Sequence, residues 1–441
     1  MLPFLTLPAG LPEVLRACRG AFTAPTFLTF QALVTGVLGA TGSRTVTGMW
    51  SAAGLAGRLH WSRGHWFFAR ARWETDTLGL LLARAVVAAF TTVGEGLTVA
   101  VDDTLFHRFG KKVFGAAWQH DGSAKGKDGI GRGNNFVIAG LVVHVPFLDR
   151  AVFLPVLFRL HVPNSAKRPS PDATGSKNAQ AREMVNLLSR AFPERRIHVV
   201  ADALYRGPAW RDLPGNVTFT SRPPSNAVLY DGPPPPTDKR GHPAWKGPKL
   251  GKPTDLAAAV TWRTATVTRY GTTSTVRVAV VDCLWWGSLH RTPIRVVLVR
   301  DPDSTRAYDI ALVSTDPDAM PETIIARYSD RWSEEQTIKD GKELLGAGDA
   351  AGRLPRAVRR TVPFTMLCLT ILVLWYAKTG NAAGDIATRR QAAPWYRHKR
   401  TVSVADMLIA FRRARITAIH PAHSTPRLFD HDHVTWASAA A

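Results

Sequence analysis

Three apolar, β-branched segments, one amphipathic helix and a fourth apolar segment constrain this chain more than any other feature. LTVAVDDT starts at Leu97, FVIAGLVVHV runs from Phe136 to Val145, and AVFLPVLFRL runs from Ala151 to Leu160. Such segments favour strands, where branched side chains pack well on a pleated surface. KNAQAREMVNLLSRAF then places Ala181, Met184, Val185, Leu188 and Phe192 on one helical face, and RIHVVAD follows as a strand. The order strand, strand, strand, helix, strand predicts an α/β unit: a hairpin meander, then a crossover to a strand that pairs beside the first.

This unit carries acids where its strands are expected to end. Asp102 and Asp103 close the first strand and Asp202 closes the fourth. If those strands are neighbours, the carboxylates meet at one edge of the sheet, where mutual repulsion calls for a cation. Taken singly, each Asp reads more readily as a turn or cap residue, and it is the meeting of two strand ends that favours a site.

The remaining chain frames this unit. Leu11 to Phe90 reads as helical, with Arg44, Arg58, Arg63, Arg70 and Arg72 interleaved with Trp50, Trp61, Trp66 and Trp73. That pattern suits a DNA-reading helical module, and equally a helical bundle with Trp in the core and Arg in solvent. Residues 222–253 are rich in Pro, Gly and Lys and read as loop. TWRTATVTRY, TSTVRVAVVDCLWW, IRVVLVRD and AYDIALVST then predict four strands of a β-rich insertion, and helices resume near Pro321. The apolar run Val362 to Ala377 is shorter than the roughly 20 residues that span a bilayer, so it is expected to be a buried core helix.

Charge narrows the function classes. The 441 residues hold 56 Lys and Arg against 34 Asp and Glu, a net charge of +22, which points to a polyanionic partner. A 45% hydrophobic share excludes disorder as a description of the chain. Cys18, Cys283 and Cys368 form neither a metal pair nor a disulfide framework and suit a reducing compartment. MLPFLTLPAG has no basic segment ahead of its apolar residues, which argues against a signal peptide. The histidines of HPAH (His420 to His423) and HDH (His431 to His433) lack matching ligand spacing and read as surface residues rather than zinc ligands.

The third candidate acid comes from ARYSDRWSEEQTIKDGKELLG. On a continuous helix turning about 100° per residue, Tyr328, Arg331, Glu335 and Lys342 fall at 0°, 300°, 340° and 320°, one narrow stripe. A carboxylate flanked by two cations and a phenol suits phosphodiester chemistry: the acid completes a metal site and the others hold phosphate oxygens. The plainer reading is a solvated helix with an Arg331–Glu335 surface pair.

The spacing Y-x-x-R-x-x-x-E-x-x-x-x-x-x-K at these four residues resembles one branch of the bacterial insertion-sequence transposases with a DDE active site. VAVDDT and VVADALYRG resemble the segments bearing that family's first and second Asp, in the right order. RTVTGMWSAAGL, TSRPPSNAVLYD and PWYRHKRTVSVADML extend the likeness over nearly the whole chain. The resemblance implies an α/β fold with an RNase H-like mixed-sheet core, interrupted by the β-rich insertion and flanked by helical regions. It divides the chain into a helical DNA-binding region (1–94), core (95–215), insertion (216–318), second part of the core (319–380) and basic helical region (381–441).

It further implies that Asp102, Asp202 and Glu335 bind two Mg²⁺ ions, with Mn²⁺ as a substitute. Thr104 favours Asp102 over the adjacent Asp103, which stays the second choice. Tyr328, Arg331 and Lys342 would contact the transposon end, and Trp285 or Trp286 would stack a flipped base, although core packing also suits them. Arg44, Lys111 and Lys112 are further expected DNA contacts, the latter two in a basic loop with Arg108, Lys125, Lys127 and Arg132. Expected partners are double-stranded DNA and a second copy of the chain on that DNA, with neither a membrane nor a small-molecule substrate, in a cytoplasmic, nucleoid-associated setting. The implied activity is two-metal DNA cleavage and strand transfer. A non-catalytic DNA-binding descendant and an RNase H-like repair or junction nuclease are the rival classes.

Overall fold

The computed structural model describes residues 2, 4–122, 129–164, 172–235 and 244–420. Five helices lead: α1 (Leu11–Arg16), α2 (Ala24–Gly39), α3 (Val46–Ala52), α4 (Ser62–Ala69) and α5 (Thr75–Phe90). The core unit follows as β1 (Leu97–His107), β2 (Ala117–His120), β3 (Ile130–His144), β4 (Ala151–His161), α6 (Lys177–Ala191), β5 (Ile197–Ala201) and β6 (Val217–Ser221). Next come β7 (Leu229–Tyr230), β8 (Lys249–Gly251), α7 (Pro253–Ala259), β9 (Arg263–Arg269), β10 (Thr272–Leu284), α8 (Trp286–Leu289), β11 (Pro293–Arg300) and β12 (Ile310–Ser314). The last helices are α9 (Pro321–Asp330), α10 (Ser333–Glu343), α11 (Pro355–Thr379), α12 (Ala382–Ala392) and α13 (Val404–Ile419).

The core strands lie in the order β4, β3, β1, β5, β6. β1, β3 and β4 form the antiparallel meander, and α6 carries the chain across so that β5 pairs parallel with β1. This is an α/β fold with an RNase H-like core and helical flanks, as the strand and helix order predicts. The four strands expected of an insertion form, but they extend the same sheet rather than a separate one. β6 pairs with β12, which pairs with β11, and β11 with β10. The seam between β6 and β12 has only two rungs, Val313 with Ser221 and Ser314 with Thr220.

Helices α10, α11 and α5 pack on β4. Thr337 Oγ1 and Thr370 Oγ1 donate to the Phe153 and Pro155 carbonyls at 2.9 and 2.8 Å, fixing α10 and α11 on that strand. α5 meets the strand backbone at Gly79, where a Cβ would stand 1.8 Å from the Val156 carbonyl oxygen. α11 is long and apolar enough to cross a membrane, yet 94% of its apolar window is buried inside the protein, so it is the expected core helix.

Several arginines that a sequence reading assigns to solvent or DNA are interior. Helix C-termini leave carbonyls without intrahelical donors, and buried arginines supply them here. Arg44 and Arg412 both donate to the Ala40 carbonyl that ends α2, each at 2.8 Å. Arg415 donates to Ala52 at the end of α3. Arg360 donates to Phe68 of α4 at 3.4 Å, to Ala71 at 2.9 Å and to Trp73. Burial pushes the Arg360 and Arg412 guanidinium groups down to about 10, so both remain charged at neutral pH. The N-terminal helices are thereby fastened to α11 and α13.

Candidate functional site

Strand register positions the first two acids. The parallel β1–β5 ladder ends with Val101 opposite Ala201, so Asp102 and Asp202 are the next residues on adjacent strands. Contrary to expectation, β1 does not end there. It stays paired with β3 through His107 opposite Gly133, which places Asp102 and Asp103 inside a strand. Successive strand residues face opposite sides, and the two acids have separate partners accordingly. Asp103 pairs with Lys177 of α6 and accepts from Asn135 Nδ2 at 2.9 Å and Tyr205 Oη at 3.4 Å. Asp102 faces α10, where its carboxyl group lies close to that of the fully buried Glu334.

Glu335, the expected third acid, does not join them. The stripe through Tyr328, Arg331 and Glu335 assumes one continuous helix, but the chain breaks between α9 and α10. There the Trp332, Glu334 and Glu335 amides donate to carbonyls three residues back, at 3.1, 2.9 and 3.2 Å. A three-residue turn makes positions i and i+3 eclipse, so Glu334 comes over Arg331, and Glu335 is swung about 120° away. Arg331 and Glu334 form a buried ion pair. Glu335 is exposed and borders a cavity of about 540 Å³ with Tyr270, Trp332, Lys339 and Ser403.

The other motif residues do converge on this edge. The Arg331 guanidinium lies 5.3 Å from the buried Tyr328 ring centroid. Lys342 Nζ donates to Thr104 Oγ1 at 2.7 Å and lies 5.1 Å from the Phe106 ring centroid, two and four residues beyond Asp102. Asp202 caps its own turn, accepting from the Leu204 amide at 2.8 Å. Arg222, exposed just past β6, adds a cation whose field reaches Tyr328.

Electrostatics mark the edge as strained for bare acids. Burial, then the neighbouring Asp202 and Asp103, pushes the Asp102 carboxyl up to about 6 against the opposing effect of the Asp103 amide. Burial, then Asp102, holds Glu334 well above the usual carboxylate range despite Arg331. Burial, then Asp103, Asp102, Asp202 and Glu334, raises the Tyr205 phenol. A hydrogen bond between two carboxyl groups needs one of them protonated, and a divalent cation compensates the same charges with both ionised. Glu334 Oε2 is buried without a hydrogen-bond partner, so a donor oxygen remains for such an ion. The hard-oxygen donor set fits Mg²⁺ or Mn²⁺ in type. As the side chains lie, no group of three among the described residues stands close enough to hold a metal ion.

The remaining expected contacts divide. Arg44 is buried and spent on the Gly42 and Ala40 carbonyls, so it caps a helix and cannot reach DNA. Trp285 is 5% exposed and belongs to the core. Trp286 is half-buried, with its ring centroid 4.1 Å from that of His290. Lys111 and Lys112 are exposed, as the basic loop requires. Its Arg108 is buried and donates to Asn134 at 3.0 Å and Ala350 at 3.2 Å, and Arg132 ties the loop to the Arg108 carbonyl at 2.8 Å. Lys125 and Lys127, like His423, His431 and His433, lie outside the described residues. Of the tryptophans in the Arg/Trp helical region, Trp50 and Trp73 are buried, whereas Trp61 and Trp66 are exposed. Lys177 opens α6 outside any motif, and Tyr205, although within VVADALYRG, lies three residues past Asp202; only the fold brings both to Asp103. Glu334 lies off the stripe of a continuous helix, and the break between α9 and α10 is what turns it toward Asp102.

Two carboxylates on adjacent parallel strands, a third delivered by a helix, and cations with a phenol beside them form an arrangement suited to phosphodiesters. No curated protein matches the chain. The chain belongs to the DDE superfamily endonucleases, whose family model matches residues 19–279, more than half its length; it is a transposase-like nuclease whose substrate is DNA and whose relatives generally use divalent metals.

Proposed function

We propose that the protein is the transposase of an insertion sequence, of the branch with the Y-R-E-K signature, which cleaves the element's ends and joins them to target DNA. Asp102, Asp202 and Glu334 would hold two Mg²⁺ ions. The observation that carries this reading is the register that sets Asp102 beside Asp202 while Glu334 reaches Asp102 from α10. Metal bound there would activate water, and then a DNA 3′-hydroxyl, for in-line attack on a phosphodiester.

The chain's own residues supply the rest. Arg331 holds Glu334 toward Asp102 and keeps a buried Nε without a hydrogen-bond partner. Tyr328 braces Arg331, while Lys342 and Arg222 offer positive charge at the same edge. Away from that edge, exposed Trp395, Arg397 and Arg400 precede α13, and exposed Trp61 and Trp66 lie on or beside α4. Flat rings beside guanidinium groups suit double-stranded DNA and its phosphates. Synapsis of two ends implies a dimer on DNA, in the cytoplasm at the nucleoid.

The test is cleavage by the purified chain with Mg²⁺, using DNA that carries the inverted repeats flanking its gene against DNA of arbitrary sequence. Metal-dependent cuts at the repeat ends are expected. Equal cutting of both substrates would instead favour a repair or junction nuclease, and no cutting by folded protein would favour a non-catalytic DNA-binding descendant.

A further inference from the structure

On its β5 side, β1 loses its ladder at Val101 opposite Ala201 yet continues for six residues to His107. At Asp103, two rungs past that end, three donors from three directions take over: Lys177 opens α6, Tyr205 follows β5, and Asn135 lies on β3. The Asp103 side chain is 11% exposed and that of Lys177 21%, and Tyr205 is fully buried. Asp102 and Asp103 are consecutive on one strand, so fixing the rotation of β1 at Asp103 fixes the aim of Asp102 on the opposite face.

We infer that Asp103, Lys177 and Tyr205 form a positioning clamp that sets the spacing of the acids at Asp102 and Asp202 and thereby the site's affinity for metal. The clamp touches neither metal nor DNA. It acts by stitching β1 to α6 and to the turn after β5 where backbone pairing has stopped. Asp103 is consequently spent on protein donors rather than on a metal ion. The inference rests on the metal site of the proposed function.

Two variants of the full chain test it. Tyr205→Phe leaves every carboxylate in place and removes one hydroxyl, and the double variant Asp103→Asn/Lys177→Met removes the pair with no change of net charge. Mn²⁺ binding is read from the EPR signal of the free ion, alongside cleavage of end-bearing DNA and its affinity. Both variants are expected to bind Mn²⁺ at least tenfold more weakly and to recover cleavage as Mn²⁺ is raised, with DNA affinity within twofold of the unmodified protein. Lys177→Arg, which keeps a donor on Asp103, is expected to stay within threefold. If the double variant does not fold, Tyr205→Phe carries the test. Folded variants that match the unmodified protein in Mn²⁺ affinity would overturn the clamp alone. Failure of the unmodified protein to bind Mn²⁺ would overturn the metal site and the clamp with it.

Discussion

The adjacent acids Glu334 and Glu335 allow the site to be tested by two changes of identical chemistry. Each becomes glutamine, which keeps the volume and removes the charge. Glu334 is fully buried against Asp102 and paired with Arg331. A carboxylate that holds the metal ion at the reacting phosphate is worth about 4 kcal/mol in the transition state, which corresponds to about 10³ in rate. Glu335 is exposed, and of the active-edge residues only the Arg331 charge acts on it. Its loss should alter the rate less than about threefold, or roughly 0.6 kcal/mol. The assay is Mg²⁺-dependent cleavage of end-bearing DNA at saturating substrate, with end binding measured in parallel without metal. Glu334→Gln should bind ends and not cut them, while Glu335→Gln should do both. The reverse pattern, with Glu335→Gln inactive and Glu334→Gln active, would refute the assignment and the helical break behind it.

Other expectations separate structural from DNA-facing charge. Arg360→Met should lower stability by roughly 3 kcal/mol in urea titrations, because three carbonyl groups lose a charged donor, while the folded protein keeps its DNA affinity. Arg397→Ala with Arg400→Ala, both at exposed positions, should leave the melting temperature unchanged and reduce the slope of log affinity against log salt by about 2; an unaltered slope would remove this segment from the DNA path. His198 is held at about 4 by burial and then by Arg327, below the ordinary histidine value of about 6.5, so the unfolded chain binds more protons between those values. Stability should therefore fall as pH drops from 6.5 toward 4, by at most about 3 kcal/mol, and His198→Gln should flatten that part of a melting-temperature profile.

Much of the fold was legible because it follows from alternation and order. β1, β3, β4, α6 and β5 can be read from branched residues and one amphipathic stripe, and their order brings Asp102 beside Asp202. The short β2, β7 and β8 were not legible, since two to four residues give no periodicity to read. Which of Glu334 and Glu335 faces Asp102 is not legible, because helical phase accumulates. A local tightening of three hydrogen bonds suffices to exchange the faces of Glu334 and Glu335. The arginines were the least legible. Arg44 and Arg397 look alike in sequence, yet one is buried against carbonyls and the other is exposed. Nothing local to either residue distinguishes a helix cap from a phosphate contact.

The arginine caps also set a schedule for synthesis. The carbonyl ends of α2, α3 and α4 wait for donors at Arg360, Arg412 and Arg415, separated from them in sequence by as many as 372 residues. At about 5–20 residues per second, the segment from α5 to α13 takes roughly 15 to 65 s to emerge from the ribosome. For most of that interval the leading helices lack these distant donors and the α11 surface on which α2 and α4 pack, with only Arg44 in place at the end of α2. The amino-terminal region therefore completes its fold last, although it is made first.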